Sequence, residues 1–448
     1  MLSLLLRNIY RNRRRYIGYL LASTIAVATF FTFGFVASHP DLSRADLPDV
    51  VLQLLLIGQI GVALFALFFV VFFHRFLLRL RGNEFGLLLT LGMSPRQLAA
   101  MIWIESLTLA ALAVVLGVLL SLAATSGLIF GLSRLLGIPP LPVVFAPSAL
   151  IAGCGFFGLL FVVDAALSAR WMRSYTPKQL LVTTRVRQSA SLSLPSIIVG
   201  LGCLGVAYTL ALVVSANAVL GTASMLPIVV LCAVGTYVLF SQTLVLILTR
   251  LRRRAASWLA LLITSRLAHR VLDYARILTV VTLLSAGVLT LMGVMIGSLA
   301  YIRQTATSAA EYQELVQIVA VALFVSFFLS SLCFIAAAST LYVKVFTQID
   351  EDRRQFAQLR RIGLSRRGLH LLLLGEFALL FFAPVLIAIL HSAVAIGEVT
   401  LHIIPDAATA AISGTWLAYA VVVAGYLAIF TLGCGVTWRQ YTRLALRH

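Results

Sequence analysis

Long runs of apolar residues are the feature that most constrains what this chain can fold into. Residues 54–73, 106–132 and 412–436 contain no charged side chain. A helix of ~20 apolar residues is long enough to cross the ~30 Å hydrocarbon core of a bilayer. Charged residues make up only 11% of the chain, whereas a soluble protein carries about a quarter. The sequence therefore predicts an all-α membrane protein.

The spacing of the apolar runs predicts ten transmembrane helices. The predicted spans are 17–37, 52–74, 101–125, 148–169, 194–215, 225–249, 276–301, 315–343, 368–392 and 412–436. The first is expected to be a retained span, because no small-residue cleavage pattern follows it. An even number of spans places both termini on the same side of the membrane.

The distribution of basic residues predicts which side that is. Of the 34 Lys and Arg residues, only Arg44, Arg134 and Arg303 fall in segments on the side opposite the termini. Basic residues concentrate in cytoplasmic loops, so both termini are predicted to be cytoplasmic in a bacterial inner membrane. The net charge of +19 then reflects these loops, and no nucleic acid partner is expected. Membrane lipid is an expected partner, and the arginines of 250–254 are expected to contact anionic lipid headgroups.

An internal repeat lies on the predicted cytoplasmic side. Residues 84–105 (EFGLLLTLGMSPRQLAAMIWIE) resemble residues 355–376 (QFAQLRRIGLSRRGLHLLLLGE) at a constant offset of 271. The identical pairs are Phe85/Phe356, Leu88/Leu359, Gly92/Gly363, Ser94/Ser365, Arg96/Arg367, Leu98/Leu369 and Glu105/Glu376. Each copy directly precedes a span, the third and the ninth.

The repeat predicts a 4+2+4 arrangement of the ten helices. Residues 1–169 form a first four-helix unit, residues 170–259 a linker with a central two-helix insertion, and residues 260–448 a second four-helix unit. Each unit begins with a basic amphipathic stretch, at 2–16 and at 260–276, which is expected to lie along the inner membrane interface.

The repeated motif predicts a short helix that ends in a sharp turn. A glycine at a helix C-terminus adopts positive φ without steric cost, and a serine is a favoured N-cap of the following helix. Phe85, Leu88 and Leu89 are expected to share one side of the first short helix, a surface suited to docking in another protein's groove. One such motif alone is better explained as an ordinary capped loop, but two copies in register favour docking.

The chain resembles the FtsX-like permeases of type VII ABC transporters, and most closely their ten-span BceB-like branch. The resemblance is carried by RNIYRNRRRYIGYLLAS at the start, EFGLLLTLGMSPRQL before span 3 and EDRRQFAQLRRIGLSRRGL before span 9. It implies a role in bacitracin and lantibiotic resistance, and it implies that 84–98 and 355–369 contact two copies of a separate ATPase. The residues expected to couple to that ATPase are Glu84, Phe85, Leu88, Gly92, Ser94, Arg96, Gln355, Phe356, Leu359, Gly363, Ser365 and Arg367.

One departure from the family affects the expected substrate. BceB-like permeases carry a large extracellular domain between spans 7 and 8, where this chain has only the short segment 302–314. The coupling role and the architecture therefore carry over from the resemblance, but the recognised substrate does not. An amphipathic substrate, either an antimicrobial peptide or a lipid-linked molecule, is expected.

Motifs of catalysis are missing from the sequence. No GxxxxGK[ST] phosphate-binding loop, HExxH or GxSxG is present. ATP and Mg²⁺ are therefore expected to bind to the partner ATPase, and this chain is not expected to be an enzyme. The spacing of His391, Glu398, His402 and Asp406 matches no ligand pattern, and no metal is expected. A signalling protein acting with a sensor histidine kinase or a wall hydrolase is the alternative function.

Overall fold

A computed structural model describes residues 13–40, 49–136, 147–173, 193–213, 218–255, 257–305, 308–347, 349–402 and 409–445, and every regular element within these ranges is helical. The helices are α1 (Arg13–Ala37), α2 (Asp49–Leu80), α3 (Gly82–Thr90), α4 (Pro95–Leu136), α5 (Pro147–Arg173), α6 (Leu194–Val213), α7 (Ala218–Val238), α8 (Leu244–Arg253), α9 (Trp258–Thr305), α10 (Ala309–Thr347), α11 (Ile349–Arg361), α12 (Arg366–His402) and α13 (Thr409–Ala445). A π-helical turn at Leu239–Thr243 joins α7 to α8.

Ten stretches of these helices are long and apolar enough to cross a membrane, which confirms the predicted number. They are Tyr19–Ala37, Gln53–Arg75, Pro95–Gly131, Pro147–Met172, Leu194–Val213, Leu226–Arg253, Tyr274–Leu299, Ala310–Tyr342, Arg366–Thr400 and Ser413–Ala445. Each overlaps one predicted span. The short helices α3 and α11 lie outside these stretches and directly precede the third and ninth spans.

The first compact unit consists of residues 1–187 and 306–335. Its central helix is α1, which is the most buried of the spans and packs against α2, α4 and α5. The ring of Phe31 lies so close to Gly153 of α5 that any Cβ at that position would clash with it. Phe33 of α1 also packs against Phe324 and Phe328, with ring centroids 5.7 and 5.6 Å apart.

The second compact unit consists of residues 188–305 and 336–448. Its central helix is α9, which packs against α12 and α13. The hydroxyl of Tyr426 on α13 donates a 2.6 Å hydrogen bond to Ser285 on α9. Helices α6 and α7 form a close pair, because Gly200 leaves room for the side chain of Val238.

Some boundaries differ from the expectations or lie beyond the described ranges. Residues 260–276 do not form a separate interfacial helix, because no helix-breaking residue separates them from the seventh span, and α9 is continuous from Trp258 to Thr305. Helix α10 begins at Ala309, so only three residues lie between these two helices. Most of the stretch 2–16 and of the linker 170–193 lies outside the described residues. The division of the chain by its repeat stays a prediction.

The sidedness predicted from the charge distribution stays a prediction, and labelling of introduced cysteines tests it. With the five native cysteines replaced, Ser94→Cys and Ser365→Cys are expected to react with an impermeant maleimide only in inside-out vesicles. Ser308→Cys, between the seventh and eighth spans, is expected to react only in right-side-out vesicles. Labelling of Ser94→Cys and Ser308→Cys from the same side would contradict both the ten-span topology and the positive-inside assignment.

Candidate functional site

The first candidate element is α3 with the turn that follows it. Gly92 has φ +97°, and the amide of Met93 donates to the Leu88 carbonyl at 3.1 Å while that of Gly92 donates to the Leu89 carbonyl at 3.2 Å. This pair of bonds is the Schellman motif, which closes a helix on a left-handed residue. Both the glycine C-cap and its positive φ, predicted from the sequence, are confirmed.

A serine N-cap starts α4 immediately after this turn. The amide of Gln97 donates to Ser94 Oγ at 3.3 Å, and the amide of Ser94 donates to Gln97 Oε1 at 2.9 Å. This reciprocal arrangement is a capping box. Because these backbone bonds fix the end of α3 and the start of α4, few conformations are open to Gly92 and Met93 between them.

The second candidate element, α11 with its turn, repeats this geometry. Gly363 has φ +98°, and the amide of Leu364 donates to the Leu359 carbonyl at 3.0 Å. The amide of Gly368 donates to Ser365 Oγ at 3.1 Å. Ser365 therefore caps α12 as Ser94 caps α4, but Gly368 has no side chain with which to complete a capping box.

The two phenylalanines of the repeat are buried inside the protein. Phe85 is 0% exposed and Phe356 is 2% exposed. Phe85 packs in an apolar cluster with Leu78, Leu98 and Ile102, and Leu88 and Leu89 pack against that cluster. Phe85 is therefore not available on an exposed docking face, and Leu88 and Leu89 are half-buried. These side chains hold α3 to its own unit instead. That the element contacts an ATPase stays a prediction.

Arg81 lies above Phe85 and connects α3 to α4. Its guanidinium carbon is 4.7 Å from the centroid of the Phe85 ring. Arg81 Nε donates to Glu84 at 3.0 Å, and Nη1 donates to the buried carboxylate of Glu105 on α4. Tyr16 of α1 donates to the same Glu105 oxygen. We call Tyr16, Arg81, Glu84, Phe85 and Glu105 the Arg81 cluster.

Arg81 remains charged in this cluster although it is only 1% exposed. Burial by itself would lower the pKa of its guanidinium, but the Glu105 carboxylate, together with Tyr16 and Glu84, outweighs that effect and raises the pKa. The charge also faces the Phe85 ring, whose negative face attracts cations. The cluster is thus a buried ion pair that a single uncompensated substitution would disrupt.

A corresponding cluster lies beside the second element. The guanidinium carbon of Arg266 is 4.7 Å from the centroid of the Phe356 ring. Arg266 donates to Glu376 on α12 and, at 2.9 Å, to Asp352 on α11. Arg270 donates to Asp352, as does the hydroxyl of Tyr441 on α13. We call Arg266, Arg270, Asp352, Phe356, Glu376 and Tyr441 the Arg266 cluster.

The two clusters use non-equivalent arginines for the same arrangement. Phe85 and Glu105 correspond to Phe356 and Glu376 in the repeat, but Arg81 belongs to the chain just before α3, whereas Arg266 comes from α9. At the position that corresponds to Arg81 stands Asp352. The repeat identifies the equivalent glutamates and phenylalanines. It does not identify the arginine that contacts them in each cluster, because Arg81 and Arg266 are not at equivalent positions of the repeat.

The most exposed apolar side chains of the elements precede the turn glycines. Leu91 is 75% exposed and Ile362 is 79% exposed, and they occupy equivalent positions of the repeat. Sequence reasoning missed both, although each is an apolar residue next to a capping glycine. Among the residues predicted to couple, Gly92, Ser94, Arg96, Gln355, Gly363, Ser365 and Arg367 are exposed, and Glu84, Leu88 and Leu359 are half-buried.

Comparison with known proteins identifies the family. The model of the FtsX-like permease C-terminal region matches residues 56–177 and again residues 327–446, together more than half of the chain. The chain belongs to the FtsX-like permease family. Each candidate element, with the turn that closes it, lies inside one of the two matched FtsX-like stretches.

Two curated relatives come from Bacillus subtilis (strain 168). The chain is 28% identical over 294 residues to the "ABC transporter permease protein YxdM" and 28% identical over 296 residues to the "Uncharacterized ABC transporter permease YvcS". Each alignment includes 64% of this chain and 46% of the relative. This FtsX-like permease chain thus matches about half the length of these relatives.

The turn glycines provide a test of the capping geometry. A Cβ at Gly92 or Gly363 would meet no atom within 4 Å, so the cost of Gly92→Ala or Gly363→Ala is the positive φ alone, about 1–2 kcal/mol. Thermal unfolding of the purified protein is the measurement. Gly92→Asn is expected to cost less, because asparagine tolerates this region. Gly127→Ala, at a helical glycine with equally open surroundings, is the control, and an equal loss there would contradict the capping role.

The Arg81 cluster predicts a strong effect from removing its cation. Arg81→Gln leaves Glu105 buried without its charged partner, and breaking such a pair costs about 3–5 kcal/mol. A lowered melting temperature is expected, and Arg81→Gln/Glu105→Gln is expected to be more stable than Arg81→Gln. Arg96→Gln, at an exposed arginine beyond the turn, should change little. A double variant no more stable than the single one would show that the ion pair is not the stabilising contact.

Proposed function

We propose that this chain is the membrane subunit of an ABC transporter and that its two capped turns are the docking elements for a separate ATPase. The observation that carries the proposal is the pair of exposed apolar residues, Leu91 and Ile362. They occupy equivalent positions outside the membrane spans. Isolated exposed apolar residues are common on protein surfaces, but equivalent ones on two rigid turns suggest a repeated contact.

The buried clusters supply the stiffness that docking would need. Arg81 holds α3 to α4 through Glu105, and Arg266 holds α11 to α12 through Asp352 and Glu376. A displacement of either short helix is therefore passed to the membrane helix that follows it. In this role Phe85 and Phe356 support the docking elements from inside, and Leu91 and Ile362 make the contact.

Two docking elements in one chain favour two ATPase subunits per chain. The family model matches two stretches whose starts, residues 56 and 327, lie 271 residues apart, which is the offset of the repeat and supports a duplicated docking unit. ATP and Mg²⁺ would bind to the ATPase subunits, and both turns would face the cytoplasm, where the basic residues concentrate.

The two elements differ in charge, which favours different contact surfaces on the ATPase. The first is apolar around Leu87 and Leu91, both exposed. Beside the second lies an open cavity of about 510 Å³ lined by Arg366, Arg367, His370 and Leu371. We infer that the second element meets an acidic surface and that its contact is the more sensitive to salt.

The substrate that we propose is amphipathic, either an antimicrobial peptide or a lipid-linked molecule. Between the seventh and eighth spans, α9 ends at Thr305 and α10 begins at Ala309, which leaves no room for a recognition domain there. Recognition would then fall to the membrane helices, which are accessible to molecules that partition into the bilayer. The short connection at this place distinguishes the chain from the BceB-like branch that it resembles, in which a large extracellular domain lies between these spans.

Copurification with the ATPase tests the docking elements. An ABC ATPase whose gene lies next to the gene of this chain is the probe to be sought, and native mass spectrometry is expected to show one chain with two ATPase subunits. Leu91→Asp and Ile362→Asp are each expected to remove one subunit, and the double variant both, because an aspartate cannot enter an apolar groove. Trp258→Ala, at another exposed apolar residue outside the spans, is the matched control and should keep the ratio.

Two results would contradict this proposal. A double variant that retains two ATPase subunits would show that the turns do not dock. Loss of the ATPase from the Trp258→Ala variant as well would show that general disturbance of the membrane surface, not a specific contact, explains the effect. Unchanged melting temperatures of all variants would exclude misfolding as the cause of any loss.

A further inference from the structure

A buried histidine joins four helices of the first compact unit. His74 of α2 is 1% exposed, and its Nε2 lies 2.8 Å from the hydroxyl of Ser106 on α4. Its Nδ1 contacts the carboxylate of Asp164 on α5, with the hydroxyl of Ser168 3.3 Å away. The ring of Tyr19 on α1 is 5.6 Å from the imidazole, centroid to centroid. We call these five residues the His74 junction.

The hydrogen bond of Ser106 decides which atoms of the junction carry protons. The Ser106 hydroxyl lies 2.8 Å from the carbonyl of Ile102, which can only accept. The one hydroxyl hydrogen is therefore directed to Ile102, and the Ser106 oxygen accepts from His74. His74 Nε2 must then carry a hydrogen. Ser106 is thus not poised to give its proton to His74, although the order of serine, histidine and aspartate resembles a hydrolase triad.

The contact with Asp164 requires one further proton. A carboxylate accepts from Nδ1 only if that nitrogen also carries a hydrogen, which makes the ring an imidazolium. If the hydrogen belongs to Asp164 instead, the carboxyl donates to Nδ1. In both arrangements the pair holds one proton more than an ionised aspartate beside a neutral histidine.

Charge balance in the low-dielectric interior favours the same state. With its proton the pair of His74 and Asp164 is neutral overall, and without it the pair carries one uncompensated negative charge. An isolated buried charge is strongly unfavourable within a membrane protein. Among the side chains that the structure describes, no arginine or lysine contacts the pair: the adjacent Arg75 is exposed and Arg81 is engaged by Glu84 and Glu105.

The fold does not itself require a polar junction at this place. At the positions 271 residues further along, His74 and Ser106 are replaced by Val345 and Phe377, both buried. Phe377 packs on the rings of Trp438 and Tyr441, with centroids 5.0 and 5.2 Å away. The second unit thus fills this position with aromatic packing, so the polar groups of the first unit point to a separate role.

We propose that His74 and Asp164 form an intramembrane proton-binding site that holds α2 to α5 in the first unit. When the two helices separate and water enters, water solvates the carboxylate, so the surroundings no longer favour the state of the pair that holds the additional proton. The bound proton then leaves to water. Opening of the first unit at this junction is therefore coupled to proton release, and this holds whether or not the turns dock an ATPase.

Spectroscopy of the whole chain in lipid nanodiscs at pH 7 tests the proton count. Histidine labelled with ¹⁵N reports the ring state of the seven histidines, and infrared spectra report protonated carboxyl groups. We expect either an imidazolium signal that His74→Gln removes or a protonated carboxyl band that Asp164→Asn removes. A neutral His74 together with an ionised Asp164 would overturn the proposal.

Unfolding measurements test independently whether the pair of His74 and Asp164 holds α2 to α5. His74→Gln and Asp164→Asn are each expected to lower the melting temperature, because each leaves one buried polar side chain without its partner. The double variant is expected to recover part of the loss, because its two amide side chains can hydrogen-bond to each other. Absence of recovery would contradict a direct pairing of the two side chains. His391 of the second unit is the matched control, because among the described residues its ring nitrogens contact only the hydroxyls of Tyr208 and Thr236, at 2.8 and 2.9 Å. His391→Gln should therefore leave both spectral signals unchanged.

Discussion

In each unit, an arginine that is buried in the first unit and half-buried in the second joins a short helix to the membrane span that follows it. Arg81 and Arg266 each lie 4.7 Å from a phenylalanine ring and each donate to a buried glutamate, Glu105 or Glu376. In a low-dielectric environment such a pair is stable only while both partners remain in place. The position of the short helices, and with it the direction of the exposed turns, therefore depends on these contacts.

The two units reach this arrangement with different numbers of charges. In the first unit, Arg81 donates hydrogen bonds to two carboxylates, those of Glu84 and Glu105. In the second, Arg266 and Arg270 share Asp352 and Glu376. One oxygen of Glu105 has no hydrogen-bond partner among the described residues, whereas both oxygens of Glu376 face an arginine. Among the ion pairs between described residues given above, fewer hold the first element than the second.

The polar groups within the membrane helices are also distributed unequally. The first unit holds an acid beside a histidine at the His74 junction, and the second places His391 among hydroxyl groups. A duplicated fold can keep its helix packing while one copy acquires an ionisable pair, because neighbouring side chains fill the same volume in the other copy. The two units can therefore bury different polar groups at corresponding places while each keeps its helices packed.

The sequence by itself determined the ten spans and the geometry of the two turns. Apolar length decides which segments cross a bilayer, and a glycine followed by a serine determines helix caps through local backbone bonds, so neither depends on the rest of the fold. Only the tertiary structure decided that Phe85 and Phe356 face inward and that Leu91 and Ile362 face outward. A helix nine residues long, such as α3, has apolar residues on more than one side, and the side that is buried depends on which arginine and which span lie beside it. The partners of Phe356 and His74 come from positions about 90 residues away, and no local pattern in the sequence identifies them.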